Sequence, residues 1–248
     1  MHRMLLAALA IFVFAALHTP ARADTISYNS ALVSPPGVYF GSGNFNSNFT
    51  VDTNGSTEIG LSAVTRFIGP IVPSPTNSDV YDVPLGNTTV PAETGSAWGV
   101  TFSINLQDPP PPALTLSDIT AVLTVLDVGT GATVTGSVFS FPDNTCYGPS
   151  GKDATCSSPT TDYGIQNSEP GSLLSSIGDP GFNDNKPDTY DVTLSVSGCA
   201  GASCTPTLLG TDSIVIDAVP EPASLAIFGT ALAGLGFLYR RRSSRKAA

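Results

Sequence analysis

The sequence predicts an all-β protein, with an antiparallel β-sandwich domain followed by a single C-terminal transmembrane helix. Between residues 24 and 219, apolar side chains recur at alternate positions, and clusters of Gly, Pro, Asn and Asp separate the alternating runs. No part of this region has helical periodicity. Near the C-terminus, seventeen uncharged residues from Ala223 to Tyr239 precede three arginines. At about 1.5 Å per residue this run reaches roughly 25 Å, the lower limit for crossing a bilayer.

The clearest alternation surrounds the single tryptophan. Trp98, Val100, Phe102, Ile104 and Leu106 alternate with small or polar residues, which predicts a half-buried strand with the indole in the core. An alternative is that Trp98 stacks on sugar rings together with aromatic residues of the segment 39–45. Comparable patterns predict further strands at residues 25–33, 49–52, 59–63, 114–127, 132–139, 190–196 and 212–217.

A run of four prolines interrupts the central region at Pro109–Pro112. Four prolines form a stiff extended segment and are typical of a linker between domains. However, strand-like segments flank the run and neither half looks self-sufficient. We therefore predict one domain over residues 24–219, with the prolines in a loop.

The N-terminus has the three parts of a secretory signal. A short basic region with His2 and Arg3 precedes an apolar run over residues 5–17, and Ala21-Arg22-Ala23 is a small-residue cleavage pattern. This predicts a signal peptide over residues 1–23 and a mature chain that begins at Asp24.

The C-terminal tail, residues 220–248, combines three features in a fixed order. The motif Pro220-Glu221-Pro222 comes first, the apolar run 223–239 follows, and the basic end 240–248 closes the chain with Arg240, Arg241 and Arg242. Flanking prolines hold the motif extended, as a peptidase cleft requires, and arginines remain on the cytoplasmic side. A glycolipid-anchor signal is excluded because such a signal ends in its apolar run.

This arrangement resembles the PEP-CTERM sorting signal of exported proteins in Gram-negative bacteria. The resemblance implies recognition of the tail by an exosortase, an integral-membrane cysteine peptidase, and cleavage near the motif. It also implies membrane attachment before processing and a final location in the cell envelope, on the surface or in the extracellular matrix, often in strains that make exopolysaccharide.

The charge distribution limits the possible partners. From Asp24 to Glu221 there are only three basic residues against twenty acidic ones, which gives a net charge of −17. Such a surface repels nucleic acid and anionic lipid, and it could attract divalent cations.

The histidine content argues against an enzyme. Both histidines lie in the predicted signal peptide, so the mature domain would lack histidine-dependent nucleophiles, general bases and the usual zinc ligands. A carboxylate pair of the glycosidase kind would remain possible, but no motif selects one.

The four cysteines, Cys146, Cys156, Cys199 and Cys204, indicate an oxidising compartment. Three pairings are possible. Because short loops close most readily, we predict the local pairs 146–156 and 199–204. With no histidine and no Cys-x-x-Cys spacing, a metal site is the weaker interpretation.

One segment is a weak candidate for calcium. Residues 179–191 are rich in Asp and Asn, the oxygen ligands that calcium prefers, and the candidate ligands are Asp179, Asp184 and Asp188. The segment lacks the EF-hand pattern, and a polar turn before a strand explains it equally well. No other cofactor is predicted.

Together these observations predict a non-enzymatic exported surface or matrix protein. The alternative is a glycan- or calcium-binding adhesion module in the same location. A hydrolase acting on a matrix polymer is a third and weaker hypothesis.

Overall fold

A computed structural model describes residues 25–32, 47–65, 68–90, 93–106, 114–142, 144–171, 182–199 and 205–220. Of these residues, 60% lie in β-strands and only 4% in helical turns, which confirms the all-β prediction. The strands, in chain order, are β1 Thr25–Ser30, β2 Phe49–Asn54, β3 Thr57–Thr65, β4 Gly69–Pro70, β5 Val80–Pro84, β6 Asn87–Val90, β7 Glu93–Ser96, β8 Trp98–Asn105, β9 Ile119–Asp127, β10 Thr133–Ser137, β11 Thr145–Gly148, β12 Gly151–Asp153, β13 Gly164–Pro170, β14 Asp188–Gly198 and β15 Thr207–Val219.

The strands form two large sheets and a small hairpin. The first sheet has the order β1-β2-β3-β8-β13-β11-β12, with β4 paired to β3, and the second has the order β10-β9-β14-β15-β5. Strands β6 and β7 form a separate hairpin. Two single 3₁₀ turns, Leu116–Asp118 and Val138–Ser140, precede β9 and follow β10.

One strand pair departs from the predicted antiparallel arrangement. Strand β5 runs parallel to β15, with Val80 opposite Val215. A parallel pair needs a long crossover connection, and here more than a hundred residues separate the two strands. The alternation of apolar residues reveals that a strand is half-buried, but it does not reveal the direction of its neighbour.

The two large sheets share one hydrophobic core. Every second residue of β8 and of β14 is buried in this core. The proline run lies between β8 and β9, in the undescribed segment 107–113, and these two strands belong to different sheets. Residues on both sides of the run therefore pack into the same core, as a loop within one domain would require.

Trp98 lies in the core, as the alternation predicts. Its side chain is 0% exposed, and its ring packs against Tyr190 at a centroid distance of 5.6 Å and against Phe182 at 6.1 Å. A buried indole has no free face for a sugar ring, so the structure does not support the stacking platform; its other proposed members, Tyr39, Phe40 and Phe45, lie outside the described residues.

The predicted signal peptide and the predicted membrane helix 223–239 lie outside the described residues. Among the residues that are described, none belongs to a helix with the length and apolarity needed to cross a membrane.

Candidate functional site

The predicted sorting motif begins where the second sheet ends. The last strand among the described residues, β15, lies between β14 and β5, and its final residue, Val219, is opposite Pro84 of β5. Pro220 follows directly and is exposed. The motif therefore starts without a linker between it and the folded domain. Its other predicted residues, Glu221 and Pro222, and the arginines 240–242, lie outside the described residues.

An open cleft of about 460 Å³ lies beside this point, and we call it the exit cleft. Three neighbouring parts of the second sheet form it: the turn after β9, the start of β14 and the end of β15. Its lining residues are Val128, Gly129, Pro187, Asp188, Thr189, Asp217, Ala218 and Val219.

Local hydrogen bonds fix both carboxylates of the exit cleft. Asp217 Oδ1 accepts a hydrogen bond from Thr189 Oγ1 at 2.8 Å. Asp188 Oδ1 accepts from the Thr189 backbone N–H at 2.8 Å and from the Gly129 N–H at 3.2 Å. The cleft therefore presents two negative charges in defined positions beside the apolar side chains of Val128 and Val219.

The predicted calcium ligands have separate structural roles. Asp184 accepts a hydrogen bond from Ser96 Oγ at 3.0 Å, and its carbonyl oxygen accepts from the Gly86 N–H at 2.6 Å. Asp188 belongs to the exit cleft, and Asp179 lies outside the described residues. No group of three or more His, Cys, Asp or Glu side chains suited to a metal ion occurs among the residues that are described. Calcium binding therefore remains a prediction.

A pair of buried carboxyl groups joins the two large sheets. Asp52 on β2 of the first sheet accepts a hydrogen bond from the backbone N–H of Thr211 on β15 at 2.8 Å. In return, Asp212 on β15 accepts from the N–H of Leu61 on β3 at 2.7 Å. Both side chains are only 1% exposed. A Cβ atom added to Gly210 would lie 2.7 Å from Asp52 Oδ2, so the close approach of the sheets requires glycine there.

Burial changes the acidity of this region. The pKa of Asp212 is raised to about 8, mainly because the side chain is desolvated by burial. Hydrogen bonds from the Leu61 and Ser213 backbone oppose this rise, and the nearby charges of Asp52 and Asp79 add to it. At neutral pH this carboxyl group is therefore mostly protonated. Burial likewise raises the pKa of the neighbouring Tyr81 hydroxyl to about 12.

The cysteines follow the predicted local pairing as far as the described residues extend. Cys146 on β11 is bonded to Cys156, with a Cα–Cα distance of 5.0 Å, which confirms the first pair. Cys199 is also disulfide-bonded, and Cys204, its predicted partner, lies outside the described residues.

A single aspartate orders the loop that the first disulfide closes. Asp153 accepts hydrogen bonds from the backbone N–H groups of Thr155, Ser157 and Ser158 and from the hydroxyl groups of Thr155 and Ser157. These bonds favour the charged form and lower the pKa of Asp153 to about 2.

A family match covers the C-terminal tail. Residues 218–242 match the family described as the PEP-CTERM protein-sorting motif. A comparison with curated proteins finds no match for this chain.

Proposed function

The chain carries a PEP-CTERM protein-sorting motif, the signal that exosortases recognise on exported proteins, and on this premise we propose that its acidic β-domain is a non-enzymatic component of the cell surface or extracellular matrix. In this proposal an exosortase cuts the tail near Pro220–Pro222 after export. The domain then remains in the envelope or in the exopolysaccharide layer.

The observation that carries this proposal is the position of the motif relative to the fold. The matched region starts at residue 218, and β15 ends at Val219, so sorting signal and folded domain are continuous. A cut near the motif would release the entire two-sheet domain. The Cys146–Cys156 disulfide is consistent with a final location outside the cytoplasm, because such bonds persist in oxidising compartments.

The hydrogen bonds of the buried carboxyl groups of Asp52 and Asp212 support a structural role for these groups over a hydrolytic one. A glycosidase requires two carboxyl groups on either side of a substrate bond, in a cleft that the substrate can enter. Asp52 and Asp212 are both buried, and each accepts a hydrogen bond from a backbone N–H group of the opposite sheet. Their arrangement stabilises the fold and leaves no space for a sugar ring.

The surface charge suits a soluble role outside the cell. With three basic and twenty acidic residues between Asp24 and Glu221, neighbouring copies repel each other and remain dispersed. In an exopolysaccharide layer, divalent cations could bridge such a surface to acidic polymers.

Replacing Glu221 and Pro222 with alanine is expected to block sorting, because the peptidase would lose the motif that it recognises. Intact mass and cell fractionation should show a wild-type product that runs from Asp24 to near Glu221 and lies outside the inner membrane. The variant should keep its tail and remain in the inner membrane. A tail present in both proteins would contradict the proposal and make residues 223–239 a permanent anchor.

The alternative is a glycan- or calcium-binding adhesion module, and the fixed carboxylates of the exit cleft favour it. If calcium binds near Asp184 and Asp188, a chelator should lower the melting temperature of the wild type, and Asp184→Ala should remove that shift. Asp82→Ala, at an exposed position of β5 outside residues 179–191, is the matched control and should keep it. A chelator without effect on the wild type excludes calcium, and saturable binding to a defined polysaccharide would favour the glycan.

A further inference from the structure

We infer that the exit cleft is a docking surface for the exosortase, which would bind the folded domain as well as the linear motif. This inference rests on the proposed sorting of the tail, and it adds a second contact outside the motif. The first support for it is distance along the chain. Two extended residues span at most about 7 Å, so Pro222 must lie within that range of Pro220.

A peptidase that holds the motif must therefore approach the end of the second sheet. Ala218 is opposite Asp188 of β14, and Val219 is opposite Pro84 of β5, so the residues directly before the motif are fixed in strand pairs. No flexible spacer separates them from Pro220. Unless these last pairs open, the enzyme has to accommodate the adjoining surface of the domain, and the exit cleft occupies that surface.

The chemistry of the cleft indicates what the partner surface must provide. Val128 is 50% exposed and Val219 is 38% exposed, which leaves two apolar side chains in contact with water. Beside them, Asp188 and Asp217 each use one carboxylate oxygen in local hydrogen bonds. The cleft has no basic lining residue. It therefore fits a surface with an apolar side chain next to a lysine or arginine.

A lipid surface fits the cleft less well than the peptidase. The cleft includes Val219, the residue directly before Pro220, so the membrane is the other candidate. Anionic headgroups would be repelled by the two carboxylates, and the exposed apolar area is limited to Val128, Pro187 and Val219. The exosortase is the better candidate, because the proposed cleavage already requires it to contact the neighbouring motif.

The best test changes a cleft residue that is remote from the tail in sequence. Val128 lies in the turn after β9, about ninety residues before the motif, so Val128→Lys leaves the linear signal intact. Val72→Lys is the matched control, because Val72 is 51% exposed and does not line the cleft. In cells that contain the exosortase, pulse–chase labelling of the full chain measures the rate of tail removal. Both purified variants should keep the wild-type melting temperature.

We expect Val128→Lys to slow tail removal at least threefold and Val72→Lys to leave it unchanged. A flexible insert of twelve residues between Val219 and Pro220 should slow tail removal from the wild type to a similar extent, and Val128→Lys should add no further effect in that background.

Equal rates of tail removal for both lysine variants and the wild type would overturn the docking surface. If the Glu221→Ala, Pro222→Ala variant is still blocked in the same experiment, the sorting proposal survives that failure. Stronger pelleting of Val128→Lys with anionic vesicles, at a wild-type cleavage rate, would assign the cleft to the membrane instead.

Discussion

Raising the pH from about 4 to about 8 is expected to lower the free energy of unfolding of this domain, and Asp212→Asn is expected to remove most of that decrease. The pKa of Asp212 is about 8 in the folded chain because the side chain is buried, against an ordinary value of 3.8. Between these values the folded state retains a proton that the unfolded state releases. Stability therefore falls as the pH rises through this window, by up to about 1.4 kcal/mol per pH unit for one proton.

Asparagine keeps the shape of the side chain but does not titrate in this range. Its single carbonyl oxygen can accept only one of the two N–H groups, from Leu61 and Ser213, that Asp212 accepts. The variant should therefore lose about 1–3 kcal/mol at pH 5 and show a much flatter pH profile. Urea unfolding at several pH values measures both effects.

Two controls isolate the contribution of Asp212. Burial also raises the pKa of Asp162, which adds a slope of the same sign, so the informative quantity is the difference between Asp212→Asn and the wild type. Asp191→Asn alters an exposed carboxylate on the outer side of β14 and should leave the profile unchanged. An Asp212→Asn profile as steep as that of the wild type would show that Asp212 does not carry the pH dependence.

The same two carboxyl groups show what the sequence can reveal about this fold. Asp212 is in phase with Ile214, Ile216 and Ala218 along β15, all of which point into the core. That phase alone was a signal that the carboxyl group is buried. Asp52 gave no such signal, because the apolar residues of β2, Phe49 and Val51, lie on the opposite face of the strand. Only the second sheet, which approaches from the other side, explains why Asp52 is buried.

Most strands with one apolar face were predictable, although β5 was missed despite the core side chains Tyr81 and Val83. The predicted strands around Trp98 and Tyr190 appear as β8 and β14. In contrast, β13 has the sequence Gly-Ile-Gln-Asn-Ser-Glu-Pro and carries a single aliphatic side chain that enters the core, Ile165. Strand β13 pairs with β8 on one side and β11 on the other, and its mostly polar side chains give no alternation of apolar residues.

The candidate site also has one part that the sequence could predict and one part that it could not. The sorting motif is a linear signal that residues adjacent in the chain could predict, and the family match over residues 218–242 confirms it. The exit cleft is assembled from residues near positions 128, 188 and 218, which only the pairing of β9, β14 and β15 brings together. No spacing in the sequence could have identified it.

Trp98→Ala is expected to destabilise the domain by about 3–5 kcal/mol, a large part of the stability of an ordinary domain. The side chain is completely buried and contacts the rings of Tyr190 and Phe182, so alanine would leave a cavity between the sheets. Because Trp98 is the only tryptophan, unfolding should be followed by far-ultraviolet circular dichroism. Phe139→Ala is a matched control, since Phe139 is 38% exposed, and its cost should be less than about 1 kcal/mol.

Trp98→Phe should recover most of the stability lost in Trp98→Ala. The indole Nε1 forms no hydrogen bond with any described residue, so the smaller ring loses only packing contacts.

Gly171 provides an independent test of the same contact. A Cβ atom at this position would lie 2.8 Å from the indole atoms Cε2 and Cζ2, so Gly171→Ala should destabilise the wild type by forcing the ring to move. In a Trp98→Ala background the same substitution should cost much less, because the ring is absent and the methyl group partly fills the cavity. Two results would contradict an important packing role for the indole at this end of the sheets. One is additive effects in the double-mutant cycle, and the other is a Trp98→Ala variant as stable as Phe139→Ala.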